Sequence, residues 1–282
     1  MDETVNRNAY DAAAKEVLAN RDLLALLLQA VVPGLDRLSP DEIKEKCFIY
    51  PSEANGISQR GLNVEDNEKA MGNIRYDLLY EFQYPNSNKT FLVNIEMQKN
   101  RVGYAKLVNR AFYYLSRLVS RKRNVDFESD DYKNMKPVYG IWLMTYFTKS
   151  FAVKYSLLPE VTYGVLPTRK KQRHMKVVLI GIGDEDTCAN KLARALYLLF
   201  KSKLSDTMIE KELANLGIHF TVKEWEGVVK MHWAEEYWKN VGHEDVALEM
   251  LKAKEPIEKI QKFTKISIQT LKELAKRNNI VI

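Results

Sequence analysis

The sequence predicts a mixed α and β fold in which a strand hairpin, a helix and a further strand are flanked by helical segments. Residues 74–84 and 90–98 are rich in β-branched and aromatic residues. The stretch between them, Pro-Asn-Ser-Asn-Lys, has the composition of a turn that joins antiparallel strands. Residues 137–147 form a continuous apolar run, which is typical of a strand buried on both faces.

Helical periodicity dominates before the hairpin and directly after it. Apolar residues recur at helical spacing over residues 10–32 and stop at Pro33-Gly34, which predicts an opening helix or helix pair. A short helix near residues 41–46 is followed by an irregular approach that extends to residue 72. Residues 104–123 have apolar and aromatic side chains every three or four positions and end in basic residues, as helices often do.

The rear of the chain is predicted to be mostly helical. A second apolar strand is expected at residues 174–181, and helices at 189–204 and 206–216, followed by a tryptophan-rich stretch. Two short helices at 257–263 and 268–276 are joined by four residues and resemble a small helix-turn-helix.

Composition limits the class of protein. The formal charge is +6 and the pI about 9.0, which favours a polyanionic partner without establishing one. Cys47 and Cys188 are far apart and have no CxxC companion, so we expect neither a disulfide framework nor a structural zinc site, and a cytoplasmic location fits. The N-terminus lacks the layout of a secretion signal, and the richest apolar run contains Gln29, so we expect no membrane span.

Two carboxylates on the hairpin are the main candidates for chemistry. Pairing the strands about Ser87 places residue 77 opposite roughly residue 97, so that Asp77 and Glu96 become neighbours. Strand alternation then predicts an apolar face toward the core and a mainly polar face toward a cleft. The core face would carry Phe91, Val93, Ile95 and Met97, and the cleft face Leu92, Asn94, Glu96 and Gln98.

Two carboxylates on neighbouring strands lie close enough to repel each other unless one is protonated or a cation lies between them. Mg²⁺, with Mn²⁺ as an alternative, is a natural partner for Asp77, Glu96 and the main-chain carbonyl of Met97. Open coordination positions would suit metal-assisted hydrolysis of a phosphodiester. The competing interpretation is an ordinary solvated hairpin with two charged residues facing water.

Asp77 followed by Glu96-Met97-Gln98 on the next strand resembles the PD-(D/E)XK nuclease motif in its Gln-ended form. The sequence is similar in particular to the PD-(D/E)XK nuclease family transposases, also called Rpn-type recombination-promoting nucleases. Further matching features lie in the opening helix, the helix after the hairpin, the apolar strand and the tail. They are Tyr10-Asp11 with Lys15, Arg110 with Tyr113-Tyr114 and Leu118, the strand from Pro137, and residues 257–271.

The resemblance implies a restriction-endonuclease-like α-β-β-β-α-β core over residues 1–222 and a mostly helical extension over residues 223–282. It implies a Mg²⁺-dependent DNA endonuclease associated with mobile elements or recombination, with Asp77, Glu96 and Gln98 as catalytic residues. The general motif ends in lysine, which can stabilise charge on the phosphate, whereas Gln98 can only hydrogen-bond. The second hypothesis is therefore a non-catalytic DNA-binding or assembly protein with a degenerate nuclease core.

DNA contacts are expected from the helix after the hairpin, because arginine binds phosphate and tyrosine stacks on bases. The candidates are Arg110, Tyr113, Arg117, Arg121, Lys122 and Arg123. The basic run at residues 169–173 is a further candidate, although such runs are commonly solvated loops. Lys15 and Asp11 are accessory candidates whose alternative is an ion pair within one helix. The sequence leaves open whether the protein forms a homodimer.

Overall fold

The computed structural model describes residues 3–49, 65–68, 72–75, 77–121, 132–157, 160–165, 174–278 and 280. The chain divides into two compact units, residues 15–224 and residues 1–14 together with 225–282. The helices are α1 (Glu3–Leu18), α2 (Arg21–Val31), α3 (Pro40–Cys47), α4 (Tyr104–Arg121), α5 (Lys191–Phe200), α6 (Asp206–Asn215), α7 (Val222–Lys252), α8 (Ile257–Thr264) and α9 (Ile268–Arg277). The strands are β1 (Glu65–Glu68), β2 (Gly72–Arg75), β3 (Leu78–Gln83), β4 (Thr90–Gln98), β5 (Val138–Met144), β6 (Phe151–Ser156) and β7 (Met175–Gly181).

A five-stranded mixed sheet of order β3-β4-β5-β7-β6 forms the centre of the larger unit. β3 and β4 are antiparallel, β4, β5 and β7 run parallel, and β6 is antiparallel to β7. Parallel neighbours require a crossover, and α4 supplies it between β4 and β5. All seven residues of β5 are buried, as a central strand covered on both faces requires. The predicted mixed α and β class is confirmed.

Sequence-local signals account for the helix boundaries. The Asn20 side chain accepts the backbone N–H groups of Asp22 and Leu23 and so begins α2, which ends just before Pro33-Gly34. Ser39 and Glu42 form a reciprocal capping box at the start of α3. The predicted helix pair is confirmed, although α1 begins seven residues earlier than predicted. The short third helix and the helix after the hairpin are confirmed within two residues.

The hairpin register follows from its turn. The N–H of Tyr84 donates to the carbonyl of Lys89 at 2.9 Å, and Asn86 adopts a left-handed conformation with φ of 55°. Leu78 pairs with Ile95, so the register extended by one residue sets Asp77 opposite Glu96. The predicted register is confirmed within one position.

Strands outside the hairpin differ from expectation in three places. The predicted strand over residues 74–84 is divided, because β2 pairs with β1 and the main sheet begins at Leu78. Part of the predicted irregular approach therefore contains a small two-stranded sheet. β6 was not predicted because it is an edge strand whose side chains are largely exposed and show no apolar run.

The core between α4 and the sheet is apolar and tightly packed. It contains Leu92 from β4, Leu115 and Leu118 from α4, and Trp142 from β5. The face of β4 that was expected to border a cleft is thus the face covered by α4. This expectation was wrong, because Asn94 and Glu96 are buried beneath the helix.

The smaller unit has its own apolar cluster, formed by Ala247, Leu251, Ile260, Leu271 and Ala275. The predicted pair of short helices is confirmed as α8 and α9. α8 ends in a left-handed Lys265, and the Ser267 hydroxyl accepts the N–H of Thr270 to cap α9. Within the described part of the chain, none of the helices combines the length and the apolar composition that a membrane crossing requires.

We predict that Gly140→Ala destabilises the larger unit. A Cβ at Gly140 would lie 2.3 Å from Cδ1 of the fully buried Leu115, so the α4 helix or its side chain must move. Overpacking of this kind costs about 1–3 kcal/mol. Urea denaturation measures the free energy of unfolding, and the Gly140→Ala, Leu115→Ala double variant is the control. The loss in the double variant should be smaller than the sum of the two single losses; simple additivity would contradict this account.

Candidate active site

The structure brings Asp77 and Glu96 into direct contact at the start of β3 and near the end of β4. The backbone N–H of Asp77 donates to Oε1 of Glu96 at 3.3 Å, and the N–H of Met97 donates to Oδ2 of Asp77 at 3.1 Å. Each carboxylate therefore accepts a backbone N–H from the other strand. The hairpin register produces this reciprocal pair without any contribution from distant parts of the chain.

One oxygen of each carboxylate is fixed by these bonds. Oε1 of Glu96 also accepts Nδ2 of Asn94 at 3.1 Å, so both described hydrogen bonds to Glu96 end on the same atom. On Asp77, Oδ2 is held by Met97, and Oδ1 contacts the ammonium of Lys15 at 3.0 Å. In the described part of the chain, no backbone N–H binds the second oxygens, Oε2 of Glu96 and Oδ1 of Asp77.

Glu96 is the more deeply buried of the two, with 2% of its surface exposed, whereas the Asp77 side chain is 29% exposed. Burial, followed by the neighbouring charge of Asp77, raises the pKa of Glu96, while the hydrogen bonds from Asn94 and the Asp77 N–H and the charge of Arg110 lower it. The net result is a pKa of about 8. In the absence of a further cation, Glu96 therefore retains a proton near neutral pH.

Lys15 reaches this pair from α1 of the opening helix pair. Its ammonium forms an ion pair with Asp77, and its side chain is 31% exposed. The sequence suggested Lys15 only as an accessory residue with Asp11 as an alternative partner four positions earlier. Asp11 is exposed on α1 and belongs to the other compact unit.

Gln98 lies at the end of β4 and is turned toward its own strand. Its Nε2 donates to the carbonyl of Met97 at 2.8 Å, and its Oε1 accepts NH1 of Arg110 at 3.2 Å. The Met97 carbonyl, one of the predicted metal ligands, is thus bonded to the predicted catalytic amide. A carbonyl oxygen has two lone pairs, so it retains capacity for a ligand bond.

Arg110 is a second cation of the site, and its charge acts on Glu96. NH2 donates to the hydroxyl of Tyr114 at 3.1 Å, and the guanidinium carbon lies 5.1 Å from the Tyr114 ring centroid and 5.3 Å from that of Trp142. Such contacts favour a fixed guanidinium. Arg110 is half-buried, and it is therefore a part of the carboxylate site rather than an outward-facing residue.

The other residues of α4 that were predicted to contact DNA differ in exposure. Tyr113 is exposed and accepts NH1 of Arg117 at 3.2 Å. Arg117 is only 2% exposed, so its proposed role as a phosphate contact is not supported by its position. Arg121 ends α4, but its side chain lies outside the described residues. The same is true of Tyr76, Lys122, Arg123 and residues 169–173.

Two buried residues beside Glu96 were given no role by sequence reasoning. Asn94 hydrogen-bonds to Glu96, and Trp142 is the register partner of Glu96 on β5. Among the described residues, neither Oδ1 of Asn94 nor Nε1 of Trp142 has a hydrogen-bond partner. Strand alternation signalled Asn94, since it shares a face with Glu96, whereas nothing in the sequence identified the β5 residue that lies beside this pair.

The donor set fits a hard divalent cation. Two carboxylates and a main-chain carbonyl are the oxygen ligands that Mg²⁺ prefers, and an ammonium already contacts one carboxylate oxygen. Over the residues that the structure describes, no cluster of three or more His, Cys, Asp or Glu side chains could hold a metal ion. The predicted set contains only two such side chains.

Comparison with known proteins adds no relative, because no family model, no curated protein and no solved structure matches the chain. The geometry of the site and the motif resemblance are therefore the observations that bear on function.

We predict that the metal-free protein loses stability as the pH rises through neutrality. The pKa of Glu96 is raised from 4.5 to about 8 in the folded state, so the folded protein binds this proton more tightly than the unfolded chain. The free energy of unfolding should therefore fall between these two pH values, with a slope of at most about 1.4 kcal/mol per pH unit, and level off above them.

Urea denaturation in a chelating buffer tests this pH dependence in Glu96→Gln, with Glu210→Gln, an exposed substitution, as the control. Glu96→Gln should lose the slope that Glu96 contributes and should be more stable than the wild type above about pH 8. Identical slopes in the wild type and Glu96→Gln would show that Glu96 does not titrate as inferred.

Proposed function

We propose that this protein is a Mg²⁺-dependent DNA endonuclease of the PD-(D/E)XK type. The observation that carries the proposal is the convergence of Asp77 and Glu96, each fixed through one oxygen by a backbone N–H of the other strand. A pair of carboxylates in contact requires either a shared proton or a compensating cation, and metal-assisted phosphodiester hydrolysis uses such a pair.

Asp77, Glu96 and the carbonyl of Met97 would hold the cation. Bound Mg²⁺ supplies positive charge that a phosphodiester needs as it is attacked. The protein's own residues orient the ligands: Met97 and Asn94 fix the carboxylates, and Arg110 and Met97 fix the Gln98 amide. Gln98 would then orient water or phosphate by hydrogen bonding.

The order of elements supports a restriction-endonuclease-like core. A helical opening is followed by the β3–β4 hairpin, the α4 crossover and β5, which pairs parallel to β4. Asp77 directly precedes β3 and Glu96 lies in β4, which supports the motif resemblance. Association with mobile elements or recombination, a cytoplasmic location and a homodimeric state are parts of the proposal that rest on the sequence alone.

DNA is the proposed polyanionic partner. The chain has a formal charge of +6, and Lys15 and Arg110 place two cations beside the carboxylates. Tyr113 is exposed on the same helix as Arg110, and tyrosine rings are side chains on which bases stack.

A second candidate, a non-catalytic DNA-binding or assembly protein with a degenerate nuclease core, is favoured by one observation. Glu96 is almost fully buried and Gln98, in the place of the motif lysine, carries no charge. With less positive charge beside the phosphate, the transition state is stabilised less, so we expect slow cleavage or none.

We predict that the purified protein cuts plasmid DNA in the presence of Mg²⁺ or Mn²⁺, and that Asp77→Asn and Glu96→Gln abolish cutting. Loss of charge stabilisation worth several kcal/mol lowers the rate by about 100-fold or more, at roughly tenfold per 1.4 kcal/mol. Plasmid relaxation and linearisation on a gel measure the rate, and the same two products distinguish nicking from double-strand cleavage.

Glu210→Gln is the matched control, because it changes the same chemical group at an exposed position on α6. It should cut like the wild type, and circular dichroism should show that all variants are folded. DNA retention with no cleavage under either metal would favour the second candidate. Cleavage that persists in both Asp77→Asn and Glu96→Gln would place the activity at another site.

A further inference from the structure

We propose that Lys15 is the phosphate-binding cation of the site and supplies the charge that the neutral Gln98 lacks. The inference rests on the proposed nuclease function. It extends that function by assigning the charge at the phosphate to a residue of α1, 83 positions away from the motif residue in sequence but in contact with Asp77.

Position 98 is unsuited to the task for a structural as well as a chemical reason. The Gln98 amide is neutral, its Nε2 is directed at the carbonyl of Met97, and its Oε1 is held by Arg110. Arg110 in turn is bound by Gln98 and Tyr114 and lies against two aromatic rings. These contacts hold the Arg110 guanidinium in place, and Gln98 can offer a phosphate a hydrogen bond but no charge.

Lys15 differs from Gln98 and Arg110 in its contacts and in the flexibility of its side chain. Its ammonium contacts Oδ1 of Asp77, the oxygen that Met97 leaves unheld, at 3.0 Å. The side chain is 31% exposed and has an unbranched, rotatable stem. Its head can therefore move over several ångströms without disturbing the core.

The contact with Oδ1 makes Lys15 and a divalent ion competitors for the same atom. Two cations that share one carboxylate oxygen repel each other, so the ammonium must withdraw when that oxygen becomes a metal ligand. A phosphate oxygen of the bound DNA is the nearest new anion for it. Lys15 would thus serve as a counter-charge to Asp77 in the free protein and as a phosphate ligand in the DNA complex.

Calorimetric titration with Mg²⁺ alone, without DNA, tests the competition directly. Lys15→Met should bind Mg²⁺ more tightly than the wild type by about 5-fold or more, the lower end of the range for coupled sites. Lys106→Met, which removes an exposed lysine from α4, should leave the affinity unchanged. A partly exposed ion pair contributes little to folding, so Lys15→Met should remain folded.

Binding of a short DNA duplex in Ca²⁺ tests the phosphate contact without relying on cleavage. Lys15→Met should bind more weakly, and the slope of log K against log salt concentration should fall by about one relative to the wild type. Where the wild type cuts DNA, Lys15→Met should cut at least about 10-fold more slowly, as expected when a transition-state charge is removed, and Lys15→Arg should retain more activity.

The outcomes separate this inference from the proposed nuclease function. Mg²⁺ binding that is unchanged or weaker in Lys15→Met overturns the inference, whether or not the wild type cuts DNA. An unchanged salt slope overturns it as well. A wild type that binds Mg²⁺ but never cuts DNA argues against the nuclease function, while the Mg²⁺ and duplex titrations still decide the role of Lys15.

Discussion

The arrangement of the site depends on one electrostatic constraint, which is that two carboxylates lie in contact at the edge of a buried sheet. Burial, and after it the neighbouring charge of Asp77, raises the pKa of Glu96, the buried member of the pair. The residues around the pair reduce the repulsion between the two carboxylates. Backbone N–H groups, the Asn94 amide, Lys15 and Arg110 all direct positive charge or dipoles toward the two carboxylates.

Three connected features of the fold bring the two carboxylates together and bury Glu96. The turn after Tyr84 sets the hairpin register, the register sets Asp77 opposite Glu96, and the parallel pairing of β4 with β5 brings α4 across the same face. The helix converts what would be an open polar face into a buried one. The same helix carries Arg110, so the element that desolvates Glu96 also provides a partial compensation for it.

Local sequence signals predicted the hairpin and its carboxylates, because turn chemistry and strand alternation are properties of neighbouring residues. The burial of Asn94 and Glu96 was missed, since it depends on α4 folding back over β4. The burial of Arg117 was missed as well, because Arg117 stands at none of the three-, four- or seven-residue spacings from the buried Leu107, Ala111, Leu115 and Leu118. The contact of Lys15 with Asp77 joins elements 62 residues apart, and no local pattern predicts it.

Electroneutrality connects the free site with the proposed metal-bound one. In the free protein, a protonated Glu96, the Asp77 carboxylate and the Lys15 ammonium sum to no net charge. With a divalent cation held by both carboxylates as proposed, Glu96 must release its proton and Lys15 must leave Asp77, and the carboxylates and the cation again sum to zero. Cation binding would therefore be coupled to proton release, as is general for protein metal sites. It would also set free an ammonium group beside the substrate, so that one binding event would both complete the ligand set and supply the charge that Gln98 cannot carry.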